Sequence, residues 1–100
     1  MNIGACKVKL RFPENQSLKG KRRVLSSIIT RVRNNYHVSI AEVDDQDLWQ
    51  LATLGIAYVS NSAKQVNEVL SRVIEFISQS KFDVEILEHQ IEILPSLQDR

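Results

Sequence analysis

Residues 2–12 read Asn2-Ile3-Gly4-Ala5-Cys6-Lys7-Val8-Lys9-Leu10-Arg11-Phe12. Successive side chains of a strand point to opposite faces, so this stretch sorts itself into two rows. Gly4, Cys6, Val8, Leu10 and Phe12 make one apolar row, while Lys7, Lys9 and Arg11 dominate the other. A strand apolar on one side only belongs to a sheet covered on one side only. The apolar row is therefore assigned to the core, with Cys6 as a small buried hydrophobe, and the basic row to an uncovered face. Pro13-Glu14-Asn15 breaks the strand.

Working outward, Ser17 is a good N-cap for a helix from about Leu18 to Asn34. Leu18, Leu25, Ile28, Ile29 and Val32 give it a single apolar stripe. A second strand is read at about His37 to Val43, then the acidic turn Asp44-Asp45-Gln46-Asp47. Leu48 to Ala52 reads equally as a helical turn or the start of a third strand, which is clear from Thr53 to Val59. Ser62, with Gln65 three residues on, predicts a capping box and a second helix ending near Ser80. Its stripe includes Val66, Leu70, Val73 and Ile77. Phe82 to Leu94 reads as a final strand. Its apolar phase changes around Glu88-His89-Gln90, which predicts a β-bulge or a split strand.

The pattern gives a single α+β domain over residues 1–95 with a polar tail at 96–100. The expected architecture is a two-layer sandwich with β-α-β-β-α-β order, an antiparallel sheet and both helices on one face. No stretch approaches the roughly 20 apolar residues of a membrane span, and no leader pattern is read at the start. One cysteine in 100 residues suits a reducing, cytoplasmic setting.

The net charge of +1 conceals a division. Residues 1–33 carry nine cations against one acid, a net +8, and residues 34–100 carry a net −7. The densest cluster is Ser17-Leu18-Lys19-Gly20-Lys21-Arg22-Arg23. Cations oppose the macrodipole at a helix N-terminus, and Gly20 is a poor helix former. Two broken local rules at one place point to a functional segment. The functional reading is phosphate binding by Lys19, Lys21, Arg22 and Arg23, with Arg31 and Lys9 as extensions and RNA as the polyanion. The plainer reading is a solvated helix whose cations pair with Asp44, Asp45 and Asp47. For Lys7, Lys9 and Arg11, cross-strand pairing with Glu42, Glu85 or Glu92 is the favoured reading.

Other chemistry finds little support. The third strand offers only Tyr58 as an aromatic, so a base-stacking platform is missing and RNA contact is limited to phosphates and shape. His37 with the nearby acids fits no standard metal spacing. No nucleophile–base pair, paired carboxylates or Gly-rich phosphate loop can be assembled. Neither a catalytic residue nor a cofactor is assigned. Trp49 is read as a cap on one end of the core, or as a partner anchor. A second functional class is a dimerising interaction module that uses the open sheet face, where strand two is apolar in both rows.

Ser17-Leu18-Lys19-Gly20-Lys21-Arg22, Val38-Ser39-Ile40-Ala41-Glu42-Val43, Asp47-Leu48-Trp49-Gln50, Ser60-Asn61 and Ile91-Glu92-Ile93-Leu94 together resemble the YlxP-like family of small bacterial proteins of unknown function. The resemblance covers about residues 2–94. It implies a ferredoxin-like fold and no established activity or cofactor. Its members are often encoded beside translation and ribosome-maturation factors, which implies a ribosomal or RNA setting. The family's signature falls on Ser17, Leu18, Lys19, Lys21, Arg22, Glu42, Asp47 and Trp49, with no catalytic role attached.

Overall fold

The alternating row of residues 2–12 forms the strand expected of it. In the computed structural model, which describes residues 1–79 and 81–97, β1 spans Asn2–Arg11 and Gly4, Cys6, Val8 and Leu10 are all buried. It is followed by α1 (Leu18–Tyr36), β2 (Ser39–Asp44), β3 (Leu51–Ser60), α2 (Ala63–Gln79) and β4 (Glu85–Pro95). The four strands are ordered β2-β3-β1-β4, and every neighbouring pair is antiparallel. The two helices cover one face. The core lies between the layers, built from β1, β3 and the stripes Leu25, Ile28, Val32 of α1 and Val66, Leu70, Val73, Ile77 of α2. Gly4 is required by this packing, since a Cβ there would collide with Val66 and lie 2.7 Å from Leu70 Cδ1.

The boundaries depart from expectation in ways that packing explains. Helix α1 runs two residues further than read, because Tyr36 packs edge-on against Phe76 with ring centroids 5.6 Å apart. His37 therefore does not begin the second strand. It closes the helix in the left-handed region (φ 52°), where its N–H donates to the Arg33 carbonyl at 3.2 Å. The ambiguous stretch resolves as strand from Leu51.

The capping box at α2 is formed differently from the simple motif. The Gln65 N–H donates to Ser62 Oγ (3.2 Å), while the Gln65 side chain accepts from Ser60 Oγ, which in turn accepts the Ser62 N–H. The bulge in β4 falls at Leu87, slightly before its expected place: Lys9 lies opposite Glu88 and Leu10 opposite Ile86. The extra residue returns Ile91 and Ile93 to the core side, which is the phase change seen in the sequence. A second bulge, at Val43, was not anticipated. The expected tail lies outside the described residues beyond Leu97, as does Ser80, where α2 was expected to end.

Candidate nucleic-acid interface

Helix α1 carries six cations (Lys19, Lys21, Arg22, Arg23, Arg31, Arg33) and no acid. Helical geometry separates them. At 100° per residue, Lys19, Arg22, Arg23, Ser26, Thr30 and Arg33 fall on one outward stripe. Lys21 falls with Leu25, Ile28 and Val32 on the inward one.

The structure accordingly removes Lys21 from the expected site. Its side chain is fully buried. Its Nζ donates to Glu42 Oε2 at 2.9 Å and to the carbonyls of Asp45 (2.9 Å), Leu51 (3.0 Å) and Gln46 (3.2 Å). An ammonium group has three protons, so four acceptors already saturate it. Lys21 is the strut that holds the β2–β3 turn against α1, and it has no capacity left for a phosphate. Glu42 is correspondingly absent from the open sheet face, where it was expected to pair with β1. It lies opposite buried Leu54, so it projects toward the helices.

Gly20 also has a structural explanation. A Cβ there would collide with Asn15 Oδ1. The Asn15 amide donates to the Ser17 carbonyl at 2.7 Å and to the Trp49 carbonyl, tying the loop before α1 to the loop before β3. Ser17 caps as expected, accepting the Gly20 N–H at 3.0 Å. Gly20 and one of the four cations, Lys21, thus serve the fold.

Lys19, Arg22 and Arg23 remain. They are exposed and, among the described residues, take part in no ion pair. Two of the expected partners make other bonds: the Asp45 carboxylate accepts the Thr53 hydroxyl at 2.6 Å, and Asp44 accepts the Asp45 N–H at 2.8 Å. Toward the β2 edge, a shallow depression of about 290 Å³ is lined by Arg22, Ser26, Thr30 and Arg33 over Leu25 and Ile29, with Glu42 at its rim. Arg33 is held there by its bond to the Ile40 carbonyl, 3.2 Å. Sequence reading overlooked Arg33 as a candidate, although its fourteen-residue spacing from Lys19 places it on the same stripe.

The two proposed extensions are not equivalent. Arg31 sits on the flank of the stripe, its guanidinium 5.3 Å from the centroid of Phe82. Lys9 does not join the site. It projects from the face of the sheet opposite the helices, opposite Glu88 of β4 and beside Asp44 and Asp45. Arg11 is paired with Glu85 at 2.8 Å, as favoured from sequence. Trp49 is 42% exposed and does not seal the core.

The remaining chemistry is sparse. Burial pushes the Cys6 thiol from its ordinary value of 9.0 up to about 11, which keeps it protonated and a poor nucleophile. Among the described residues, no three His, Cys, Asp or Glu side chains gather as a metal site, and no helix is long and apolar enough to cross a membrane.

A family model described as "Protein of unknown function (DUF503)" matches residues 3–91. The chain belongs to this family. A relative from Bacillus subtilis (strain 168), named "Uncharacterized protein YlxP", is 52% identical over 61 residues, which is 61% of this chain and 66% of the relative. The match thus spans just under two thirds of the relative's length. Among solved structures, the designed protein LFR1 1 with ferredoxin fold superposes with a TM-score of 0.56 at 12% identity, covering 100% of this chain and 96% of that one. The designed protein Foldit4 gives 0.46 at 13% identity, covering 94% and 98%. The first likeness shows the ferredoxin-like fold of this DUF503 member.

Proposed function

We propose that this protein is a non-enzymatic, cytoplasmic RNA-associated factor, acting on ribosomal RNA or a ribosomal particle through the outward stripe of α1. The single observation that carries this reading is the set of exposed cations Lys19, Arg22, Arg23 and Arg33 on a helix without one acidic residue. The stripe from Lys19 to Arg33 is about 21 Å long at 1.5 Å per residue. That length spans several phosphates of a nucleic-acid strand. Ser26 and Thr30, between the cations, supply neutral donors for the same oxygens.

The contacts available are electrostatic and read phosphate rather than base. The affinity therefore falls steeply with salt, by a slope of about −3 for four phosphate contacts to single-stranded RNA. Arg31 contributes at the margin. Lys21 contributes indirectly, by holding the turn beside which the stripe stands.

Fluorescence anisotropy with a ribosomal RNA fragment across a salt series tests the reading. The Lys19→Ala/Arg22→Ala/Arg23→Ala variant is expected to bind more weakly and to lose about 0.7 of a unit of salt slope per deleted contact, which leaves a slope of about −1. Equal binding by the variant and the parent chain would overturn the proposal.

A further inference from the structure

The sheet face opposite the helices is uncovered, and its composition differs from that of α1. The strand register resolves it into rows that cross the sheet. Val59–Ile3–Leu94 forms an apolar row at one end, followed by Ala57–Ala5–Glu92, then Gly55–Lys7–Gln90, then Thr53–Lys9–Glu88. Val59 and Leu94 are 55% and 51% exposed. A shallow depression of about 480 Å³ lies over the small residues Ala5, Ala41, Gly55 and Ala57. The side chain of bulged Val43 leans over Gly55, where a Cβ would meet its Cγ1 at 2.8 Å.

We infer that this face closes on the same face of a second copy of the chain. A polyanion is disfavoured here, because the carboxylates of Glu88 and Glu92 stand beside the β1 cations. Lateral growth of the sheet is disfavoured as well. The β4 edge carries the Leu87 bulge and three glutamates, and β2 is only six residues long, devices that block edge pairing.

Stacking of two copies is favoured by self-complementarity. A two-fold axis parallel to the strands and midway between β1 and β3 lays each β1–β3 cross-strand pair on the same pair, reversed. Ile3 then meets the partner's Val59, and Ala5 meets the partner's Ala57. The small central pair lets the sheets approach to the roughly 10 Å of face-to-face packing.

Lys7 comes over the partner's Gly55, with Glu92 of its own chain one row away, and the outer charges agree with this arrangement. Lys9 comes over the partner's Thr53, whose hydroxyl donates to the Asp45 carboxylate within its own chain. Two symmetric Lys9–Asp45 encounters result. Glu88 and Glu92 fall at the rim over β2, where interfaces are polar and wet. Four strands at about 4.8 Å spacing and roughly 30 Å of length present about 600 Å² per copy, close to the roughly 800 Å² per partner of standard interfaces.

Sedimentation velocity of the nuclease-treated chain over micromolar concentrations tests the inference. The parent chain is expected to sediment as a dimer. Ala57→Glu, which places a long charged side chain where the two sheets approach most closely, is expected to weaken association by about a hundredfold while leaving the folded circular dichroism spectrum unchanged. Lys9→Gln removes the charge without setting a like charge opposite Glu88, and it is expected to weaken association by about tenfold. A parent chain that stays monomeric throughout would overturn the inference and leave the face to a different protein. So would two folded variants that dimerise as well as the parent. Neither variant touches α1, so RNA binding stands or falls separately.

Discussion

The two helices lie side by side on one sheet and bury equivalent stripes, yet their outer faces follow different rules. Helix α2 alternates its charges, with Lys64, Glu68, Arg72 and Glu75 at helical spacings that pair opposite signs. Helix α1 has six cations and no acid. Amphipathicity built both helices, so the charge excess of α1 is not something the fold needs in general. The single exception is Lys21, which turns inward. The comparison separates the one cation buried for folding from Lys19, Arg22 and Arg23, which take part in no ion pair among the described residues. Arg33 keeps a bond to the Ile40 carbonyl, and Arg31 a contact with Phe82.

The largest expected effect probes that exception. Lys21→Ala leaves the Glu42 carboxylate and three backbone carbonyls without their donor. Breaking a buried pair costs about 3–5 kcal/mol, and Glu42 retains some access to water, so a loss of about 3 kcal/mol is expected in urea denaturation. Arg22→Ala, one residue away, should change stability by less than about 0.5 kcal/mol. Similar losses for both would break the distinction between inward and outward cations.

Next comes a property of the floor that the helices share. The Cys6 thiol, raised from 9.0 to about 11 in the folded chain, ionises first in the unfolded state. Above pH 9 the unfolded chain therefore binds fewer protons than the folded one, and stability falls as pH rises toward 11. The contribution is about 2 kcal/mol, fully present below pH 9. The difference in denaturation midpoint between the parent and Cys6→Ala should shrink over that interval. Removal of the outward α1 cations should leave this pH dependence untouched.

Smaller effects sharpen the contrast at the helix start and on the outer faces. An exposed helical Gly→Ala change ordinarily stabilises by up to about 1 kcal/mol. Gly20→Ala should instead destabilise by about 1 kcal/mol, because the new methyl displaces an Asn15 side chain held by two hydrogen bonds. A gain in melting temperature would contradict the assigned packing. Smallest of all, Lys64→Ala/Arg72→Ala on α2 should alter stability by less than about 0.5 kcal/mol and leave the RNA salt slope unchanged. A flattened slope would move the interface from α1 to α2.

How much could be read in advance differs sharply between elements. The period-two row of β1 and the period-3.6 stripes of both helices were legible because a side chain's face follows from local geometry alone. The phase change in the last strand was legible for the same reason, though its position shifted to Leu87 because the partner register decides which residue is extra. Lys21 was misassigned. Its position on the apolar stripe was visible, but charge is normally read as exposed, and the four oxygens that receive it lie 21 to 30 residues away in the sequence. Lys9 was grouped with the α1 cations by sign and proximity in sequence, although the sheet stands between them.

Hydrophobic periodicity was enough to determine the order of elements, the covered face of the sheet and the excess of positive charge near the N-terminus, since each follows from neighbours along the chain. Which cations remain available to a partner was settled only when β2 and β3 folded against α1. A lysine on an inward stripe can be buried only where distant carbonyls and a carboxylate converge to replace its water. That convergence is a property of three-dimensional packing, and no local spacing records it.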